Sequence, residues 1–143
     1  MIEQIYSAPS FGGSEHLATV VRRHEITDGV KFFTDPKSDI QVGTVSHEAG
    51  YVTQPHQHVY RDRRSRSCIE VLYVLSGEVT VDFYTSSGEP VGWRTLSPGD
   101  FVILLDGYHG LRYSQDTYIF EVKQGPHLGQ NDKVFLSPSP EGN

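Results

Sequence analysis

The chain has 143 residues, the size of one ordinary domain, and 36% of them are hydrophobic and 11% aromatic. This composition supplies enough apolar material for a hydrophobic core and excludes disorder as the main state. The formal net charge of −6 repels polyphosphate and anionic lipid on average, so we expect neither nucleic acid nor a membrane as the main partner.

Short runs rich in Val, Ile, Tyr and Phe alternate with clusters of Gly, Pro, Asp and Ser, a pattern that predicts β-strands joined by turns. In chain order, the predicted strands are 17–24, 30–33, 40–46, 69–75, 78–84, 93–96, 101–105, 110–114 and 118–123. Helical spacing of apolar residues is not sustained anywhere, so we expect an all-β sandwich or barrel with little helix. One domain is expected to span 1–143, with a barrel over about 17–124, an irregular tail at 125–143 and a loose start over the first dozen residues.

Residues 1–14 carry no basic start followed by an apolar stretch, and no window approaches the length of a membrane span. The single cysteine, Cys68, has no partner for an intrachain disulfide and precedes an apolar run. That position favours a small buried side chain over a nucleophile. We therefore expect a soluble, cytoplasmic protein.

Three features of the sequence point to a metal-binding pocket. His56 and His58 are separated by one residue, and in an extended stretch this spacing places both imidazoles on one face. Glu70 begins an apolar strand, where burial of a carboxylate is costly unless a cation compensates its charge. His109 follows another apolar strand and has glycines on both sides, which let the backbone turn sharply.

Residues 50–58, Gly-Tyr-Val-Thr-Gln-Pro-His-Gln-His, resemble the first half of the first motif of the cupin family. Glu70 and the glycine seven positions later resemble the second half, and Pro-Gly-Asp at 98–100 with Gly-x-His at 107–109 resembles the second motif. The resemblance implies a single cupin barrel, which is a jelly-roll or double-stranded β-helix. It also implies that one divalent metal ion is bound through the residues that match the family's ligands, His56, His58, Glu70 and His109.

Three imidazoles and one carboxylate suit iron, manganese, zinc or nickel, and the ligand types alone do not choose among them. Four protein ligands around a six-coordinate ion leave positions open for substrate or dioxygen, whereas four-coordinate zinc leaves none. An open site favours a metalloenzyme of the isomerase, epimerase or oxygenase type that acts on a small polar molecule. The alternative is a small-ligand-binding or structural cupin without turnover.

Further candidates surround the predicted metal ligands. The eleven residues between His58 and Glu70 contain four arginines, Arg61, Arg63, Arg64 and Arg66. These arginines either bind a carboxylate or phosphate of the substrate or form a solvated loop that resists strand pairing, which is the interpretation we favour. Glu121 either lines the cavity as a general base or faces solvent, the orientation we favour, and Tyr113 is in phase with His109 as a proton-transfer candidate.

The closing segment, 121–134, resembles the end of a group of small bacterial cupins that tend to be associated with surface-sugar and nucleotide-sugar biosynthesis. This likeness implies a sugar-like substrate, although a fold by itself does not determine function. Small cupins often pair edge to edge, so the resemblance also implies a homodimer. We expect an apolar strand near 17–21 to be exposed, which is compatible with such pairing.

Overall fold

The computed structural model describes residues 1–10, 12–60, 65, 67–126 and 128–136. Within these ranges the chain is all-β, as predicted, and its regular helical turns are two short 3₁₀ segments, Arg23–Glu25 and Gly129–Asp132. In chain order, the strands are β1 (Glu3–Tyr6), β2 (His16–Val21), β3 (Val30–Phe32), β4 (Gly43–Val45), β5 (Glu70–Ser76), β6 (Val79–Tyr84), β7 (Pro90–Leu96), β8 (Phe101–Leu104), β9 (Tyr108–Tyr113) and β10 (Tyr118–Lys123).

The strands form three antiparallel sheets. The largest has the order β1-β2-β8-β5-β10, the second has the order β7-β6-β9, and β3 pairs with β4 in a separate hairpin. The two larger sheets pack face to face because each contributes an apolar face to the same core. In β6, for example, Val79, Val81 and Phe83 are buried and the residues between them are partly exposed, the alternation expected of a strand with one solvated face.

The main core lies between the two larger sheets. It contains buried side chains from β1, β2, β5, β6, β7 and β8: Ile5, Leu17, Ala18, Val20, Leu72, Val74, Val79, Val81, Phe83, Leu96, Val102 and Leu104. In the described part of the chain, the sheets are not closed into a barrel. The candidate site is a cavity at the end of the core where β5 and β9 begin, called here the open end of the core.

A second, smaller core covers the other face of the five-stranded sheet. Phe33, which follows β3, packs edge-on against Phe101 of β8 with ring centroids 5.5 Å apart. Val21, Ile69 and Ile103 complete the buried part of this cluster. The segment that follows β3 therefore buries the middle of that face.

The start of the chain is more ordered than its sequence predicts. The first dozen residues were expected to be loose, but β1 pairs with β2 along four residues and Ile5 is buried in the main core. Only Ile5 of the four residues in β1 is buried, so the alternation that reveals a strand is too short to stand out in the sequence.

Asp100 fixes the turn between β7 and β8. Its Oδ1 accepts the backbone N–H of Arg23 at 2.9 Å, and its Oδ2 accepts the backbone N–H of Ser97 at 3.1 Å and Nη1 of Arg22 at 3.0 Å. Arg22 also donates to Oε1 of Glu3 at 3.1 Å. Burial alone would raise the pKa of Asp100, but these hydrogen bonds outweigh burial and hold it below its ordinary value.

None of the helical segments in the described ranges has the length and apolar character needed to cross a membrane.

Candidate functional site

Glu70 and His109 meet across the gap between the two larger sheets. Glu70 begins β5 on the same face as Leu72 and Val74, which are buried in the main core. His109 lies near the start of β9, opposite the buried Phe83 of β6. Nε2 of His109 lies 3.2 Å from Oε2 of Glu70. Two residues that are 39 positions apart in the chain are thus in contact at the open end of the core.

The surroundings of Glu70 favour its ionised form. The hydrogen bond from His109 is the main cause that holds the pKa of Glu70 below its ordinary value, and it outweighs the opposing effect of burial. Nζ of Lys123 lies 3.8 Å from Oε1 of Glu70 and 3.3 Å from Oε1 of Glu121. The contact with Glu121 is also the main cause that raises the pKa of Lys123. The site is a connected chain of charged groups.

These groups line a cavity of about 480 Å³, called here the Glu70 cavity. Its polar lining consists of Cys68, Glu70, Tyr108, His109, Glu121, Lys123, Asp132 and Lys133, and its apolar lining includes Leu72, Leu111, Val134 and Phe135. A volume of this size accommodates a small molecule, and the predominantly polar lining suits a polar one.

The turn before β9 determines where His109 lies. Gly107 has a φ of +72°, and a Cβ at this position would lie 2.2 Å from the carbonyl oxygen of Tyr84 and 2.8 Å from Cδ2 of Leu17. Only glycine fits this close approach without a shift of the backbone. Gly107, two residues before His109, therefore has a packing role at the site.

The other two predicted metal ligands lie elsewhere. His56 and His58 are exposed in a segment without regular secondary structure, with ring centroids 5.5 Å apart, and Nδ1 of His56 lies 2.9 Å from the carbonyl oxygen of Gln54. Across the described residues, no three His, Cys, Asp or Glu side chains are grouped so that they could hold a metal ion. The structure thus brings Glu70 and His109 together and leaves the two histidines of the earlier segment apart from them.

The two predicted catalytic residues lie in different places. Glu121 pairs with Leu72 across β10 and β5 and lines the Glu70 cavity, while 45% of its side chain is exposed to solvent. Tyr113 lies at the far end of β9, opposite Val79, with 56% of its surface exposed, and it is not part of the cavity lining. Tyr113 lies on the same face of β9 as His109, as predicted, but it is four residues further along the strand and therefore lies away from the site.

The four predicted substrate-binding arginines, Arg61, Arg63, Arg64 and Arg66, lie outside the described residues. Cys68 was expected to be buried, but it is exposed and contributes to the cavity lining. Cys68 lies two residues before β5, on the same side of the chain as Glu70. It is exposed because it lies outside the paired strand.

Tyr108, Asp132 and Lys133 also line the cavity, and the sequence analysis did not identify them. Tyr108 is adjacent to a predicted ligand, which is the one indication that the sequence contained. Asp132 and Lys133 reach the cavity because the chain returns to it after β10, and no local pattern predicts that return.

In comparisons with known proteins, no family model matches the chain, and no curated protein or solved structure matches it.

Proposed function

We propose that this chain is a cupin-type protein whose Glu70 cavity binds one divalent transition metal ion and a small polar substrate. The observation that carries the proposal is the meeting of the Glu70 carboxylate and the His109 imidazole at the open end of the core. The cupin motifs described above and two facing antiparallel sheets support a jelly-roll arrangement for the chain. A cytoplasmic location is part of the same proposal.

The two side chains that meet there fit a metal. Imidazole nitrogen and carboxylate oxygen are the ligand types of zinc, iron, manganese and nickel sites. Two ligands about 2.1 Å from one ion, at roughly a right angle, lie about 3 Å apart, and Nε2 of His109 lies 3.2 Å from Oε2 of Glu70. We propose His56 and His58 as the remaining ligands. Because they lie apart from Glu70 and His109 in this structure, the proposal requires the segment that precedes the arginine-rich stretch to move to the cavity when the metal binds.

The proposed activity is that of a metalloenzyme of the isomerase, epimerase or oxygenase type. The bound metal would supply Lewis-acid or dioxygen chemistry. In this chain, Glu121 is the candidate general base, and Lys123 holds its carboxylate in place through the 3.3 Å contact. Tyr108 adds a hydroxyl group to the same cavity. The size and polar lining suit a sugar-like molecule, which we propose as the substrate class.

Elemental analysis of the protein purified without added metal tests the metal site. We expect about one equivalent of a transition metal per chain in the unaltered protein and almost none in Glu70→Gln, in His109→Ala or in the double variant His56→Ala, His58→Ala. His24→Ala, an exposed histidine outside the cavity lining, is the matched control and should keep its metal.

Two results would contradict the assignment. A protein that takes up no metal even when offered iron, manganese, zinc or nickel refutes the metal site itself. Full metal content in the double histidine variant refutes His56 and His58 as ligands while leaving Glu70 and His109 in place.

A second candidate function is a metal-free pocket for a polar ligand, without turnover. The observation that favours it is that Glu70 already has a hydrogen-bonding partner in His109 and a cation, Lys123, 3.8 Å away. This function predicts that protein stripped with a chelator keeps its melting temperature and still binds ligand, whereas the metal site predicts a lower melting temperature after stripping.

We also propose a homodimer. The strand near 17–21 that was expected to be exposed is buried in β2 between β1 and β8, so it does not provide the dimer surface. On the outer face of β5 and β10, five apolar side chains are exposed: Tyr73, Leu75, Tyr118, Phe120 and Val122. Among the described strands, β10 is paired with β5 only, so its other edge is free. Sedimentation equilibrium should show a dimer that Phe120→Glu dissociates and that Val30→Glu, on the separate hairpin, does not. A monomer in the unaltered protein at all concentrations would refute the dimer.

A further inference from the structure

A second cavity, of about 350 Å³, lies on the other face of the five-stranded sheet, and it is called here the outer cavity. One of its walls comes from β1 and β2 and includes Tyr6, His16 and Thr19. Thr19 pairs with Ile103 of the smaller core, which places this wall on the face opposite the main core. The segment 32–38 forms the facing wall. The outer cavity is therefore separate from the Glu70 cavity.

Aromatic rings supply much of the apolar surface of the outer cavity. The rings of Tyr6 and His16 are stacked, with centroids 4.5 Å apart and an angle of 21° between their planes. The 3.2 Å contact between Nε2 of His16 and Oγ1 of Thr19 holds this imidazole in place. Phe32 contributes a ring from the facing wall, and 57% of its surface is exposed. These rings offer open apolar surfaces on which the flat face of a ligand can pack.

Hydrogen bonds hold the polar wall of the outer cavity in place. Oδ1 of Asp35 accepts the backbone N–H of Lys37 at 2.7 Å, and its carbonyl oxygen accepts the backbone N–H of Ser38 at 2.8 Å. Oγ1 of Thr34 accepts the backbone N–H of Val42 at 3.1 Å. Within the described residues, Oδ2 of Asp35 accepts no hydrogen bond. A preformed wall thus presents a free carboxylate oxygen beside two hydroxyl groups, and a ligand that donates hydrogen bonds does not have to order these groups.

The charges around the outer cavity favour a neutral ligand. Among the described residues that line it, Asp35 carries the one full charge at pH 7, because burial lowers the pKa of His16 and keeps its imidazole neutral. A cation already lies beside this lining, since Nζ of Lys31 is 5.6 Å from the centroid of the Phe33 ring. The carboxylate disfavours an anionic ligand, and the nearby ammonium group disfavours a second cation.

We propose that the outer cavity binds one saccharide unit, whose C–H face packs on Phe32 and whose hydroxyl groups donate to Oδ2 of Asp35. A pyranose ring is neutral and combines a flat apolar face with hydrogen-bond donors around its edge, which matches the rings and the free acceptor of this cavity. A volume of about 350 Å³ lies within the range of small-molecule sites. The site is additional to the Glu70 cavity and needs no metal.

Titration of the isotope-labelled full chain with D-glucose, D-galactose and N-acetyl-D-glucosamine, followed by amide correlation spectra, tests the site. We expect at least one of these sugars to shift the amide signals of His16, Thr34 and Asp35 saturably. Glycerol, which lacks the flat C–H face, should not. Phe32→Ala should weaken the binding about fivefold because a ring contact is lost.

Asp35→Asn keeps an oxygen acceptor for the backbone N–H of Lys37 but loses the acceptor at Oδ2, so it should weaken the binding about tenfold. Two variants are matched controls and should leave the affinity unchanged. Trp93→Ala removes an aromatic side chain that is 58% exposed and lies outside the cavity lining, and Asp39→Asn changes an exposed carboxylate outside it.

Three results would overturn the inference. The first is the absence of a saturable shift with all three sugars, and the second is a set of shifts confined to residues of the Glu70 cavity. The third is equal affinity in Phe32→Ala, Asp35→Asn and the unaltered protein. Saturable shifts of the same amides by choline, with none by the sugars, would replace the saccharide with an organic cation. Treatment with a chelator should not change the sugar affinity, so loss of the metal proposal leaves this site standing.

Discussion

Replacement of Asp100 by alanine should destabilise the protein by about 3 kcal/mol. The carboxylate accepts three hydrogen bonds, from the backbone N–H groups of Arg23 and Ser97 and from Arg22, and only 11% of its side-chain surface is exposed. A hydrogen bond to a charged group contributes roughly 1.5 kcal/mol or more, so three would total about 4.5 kcal/mol. Arg22 retains Glu3 and the carbonyl oxygen of Thr95, to which it donates at 2.6 Å, and this remaining pairing lowers the expected loss.

Urea denaturation measures the effect. With an m-value of about 2 kcal/mol/M for a domain of this size, a loss of 3 kcal/mol lowers the midpoint by about 1.5 M. Asp100→Asn keeps one oxygen acceptor but loses the charge, so it should lie between the alanine variant and the unaltered protein. Asp39→Ala, at an exposed loop position, is the matched control and should change the midpoint by less than about 0.3 M. A loss below about 1 kcal/mol for Asp100→Ala would refute the view that this carboxylate holds the turn between β7 and β8.

Three further predictions concern the core, the turn at the site and pH. Phe83→Ala, at a side chain only 2% exposed in the main core, should lower the free energy of unfolding by about 3–5 kcal/mol in the same assay, and a loss under 1 kcal/mol would contradict its central place. Gly107→Ala places a Cβ 2.2 Å from the carbonyl oxygen of Tyr84 and forces alanine into a left-handed backbone conformation. It should therefore lower the free energy of unfolding by more than about 1 kcal/mol and reduce the metal content. Unchanged metal uptake would show that the turn does not position His109. Hydrogen bonds with Arg94 and Arg22 lower the pKa of Glu3, and the pKa of Asp100 is lowered as well. The ionised carboxylates therefore contribute stability above the ordinary pKa values of 4.5 for Glu3 and 3.8 for Asp100. That stability is lost as the pH falls through the lowered pKa values. The urea midpoint should therefore drop steeply below about pH 4, and Asp100→Ala should flatten that drop; an equally steep drop in the variant would contradict this origin.

Much of the fold could be predicted from the sequence because strand formation is encoded locally. The run of β-branched and aromatic residues at 69–75 and the alternation at 78–84 correspond to β5 and β6 to within one residue at either end. The paired turn residues between strands mark most boundaries in the same way. Local patterns failed for β1, where only Ile5 of four residues is buried.

The candidate site was predictable in part. Glu70 and His109 could be named from the sequence because a carboxylate and an imidazole at the ends of apolar strands require a partner, and the structure places them 3.2 Å apart. Glu121 could also be named, but its orientation could not. When a strand has apolar residues on both faces, the sequence does not show which face is buried. The pairing of Glu121 with Leu72 determined that Glu121 lies on the face of β10 that lines the cavity.

The sequence by itself determined the all-β class, the positions of most later strands along the chain and the two residues that meet at the site. These features depend on spacing and residue type over a few positions. Only the tertiary structure decided that Lys133 lines the same cavity as Glu70 and that Tyr113 lies outside it. The first depends on where the chain goes after β10, and the second depends on how far β9 runs along the core away from His109. Both are set by packing between distant segments, which leaves no periodic pattern in the sequence.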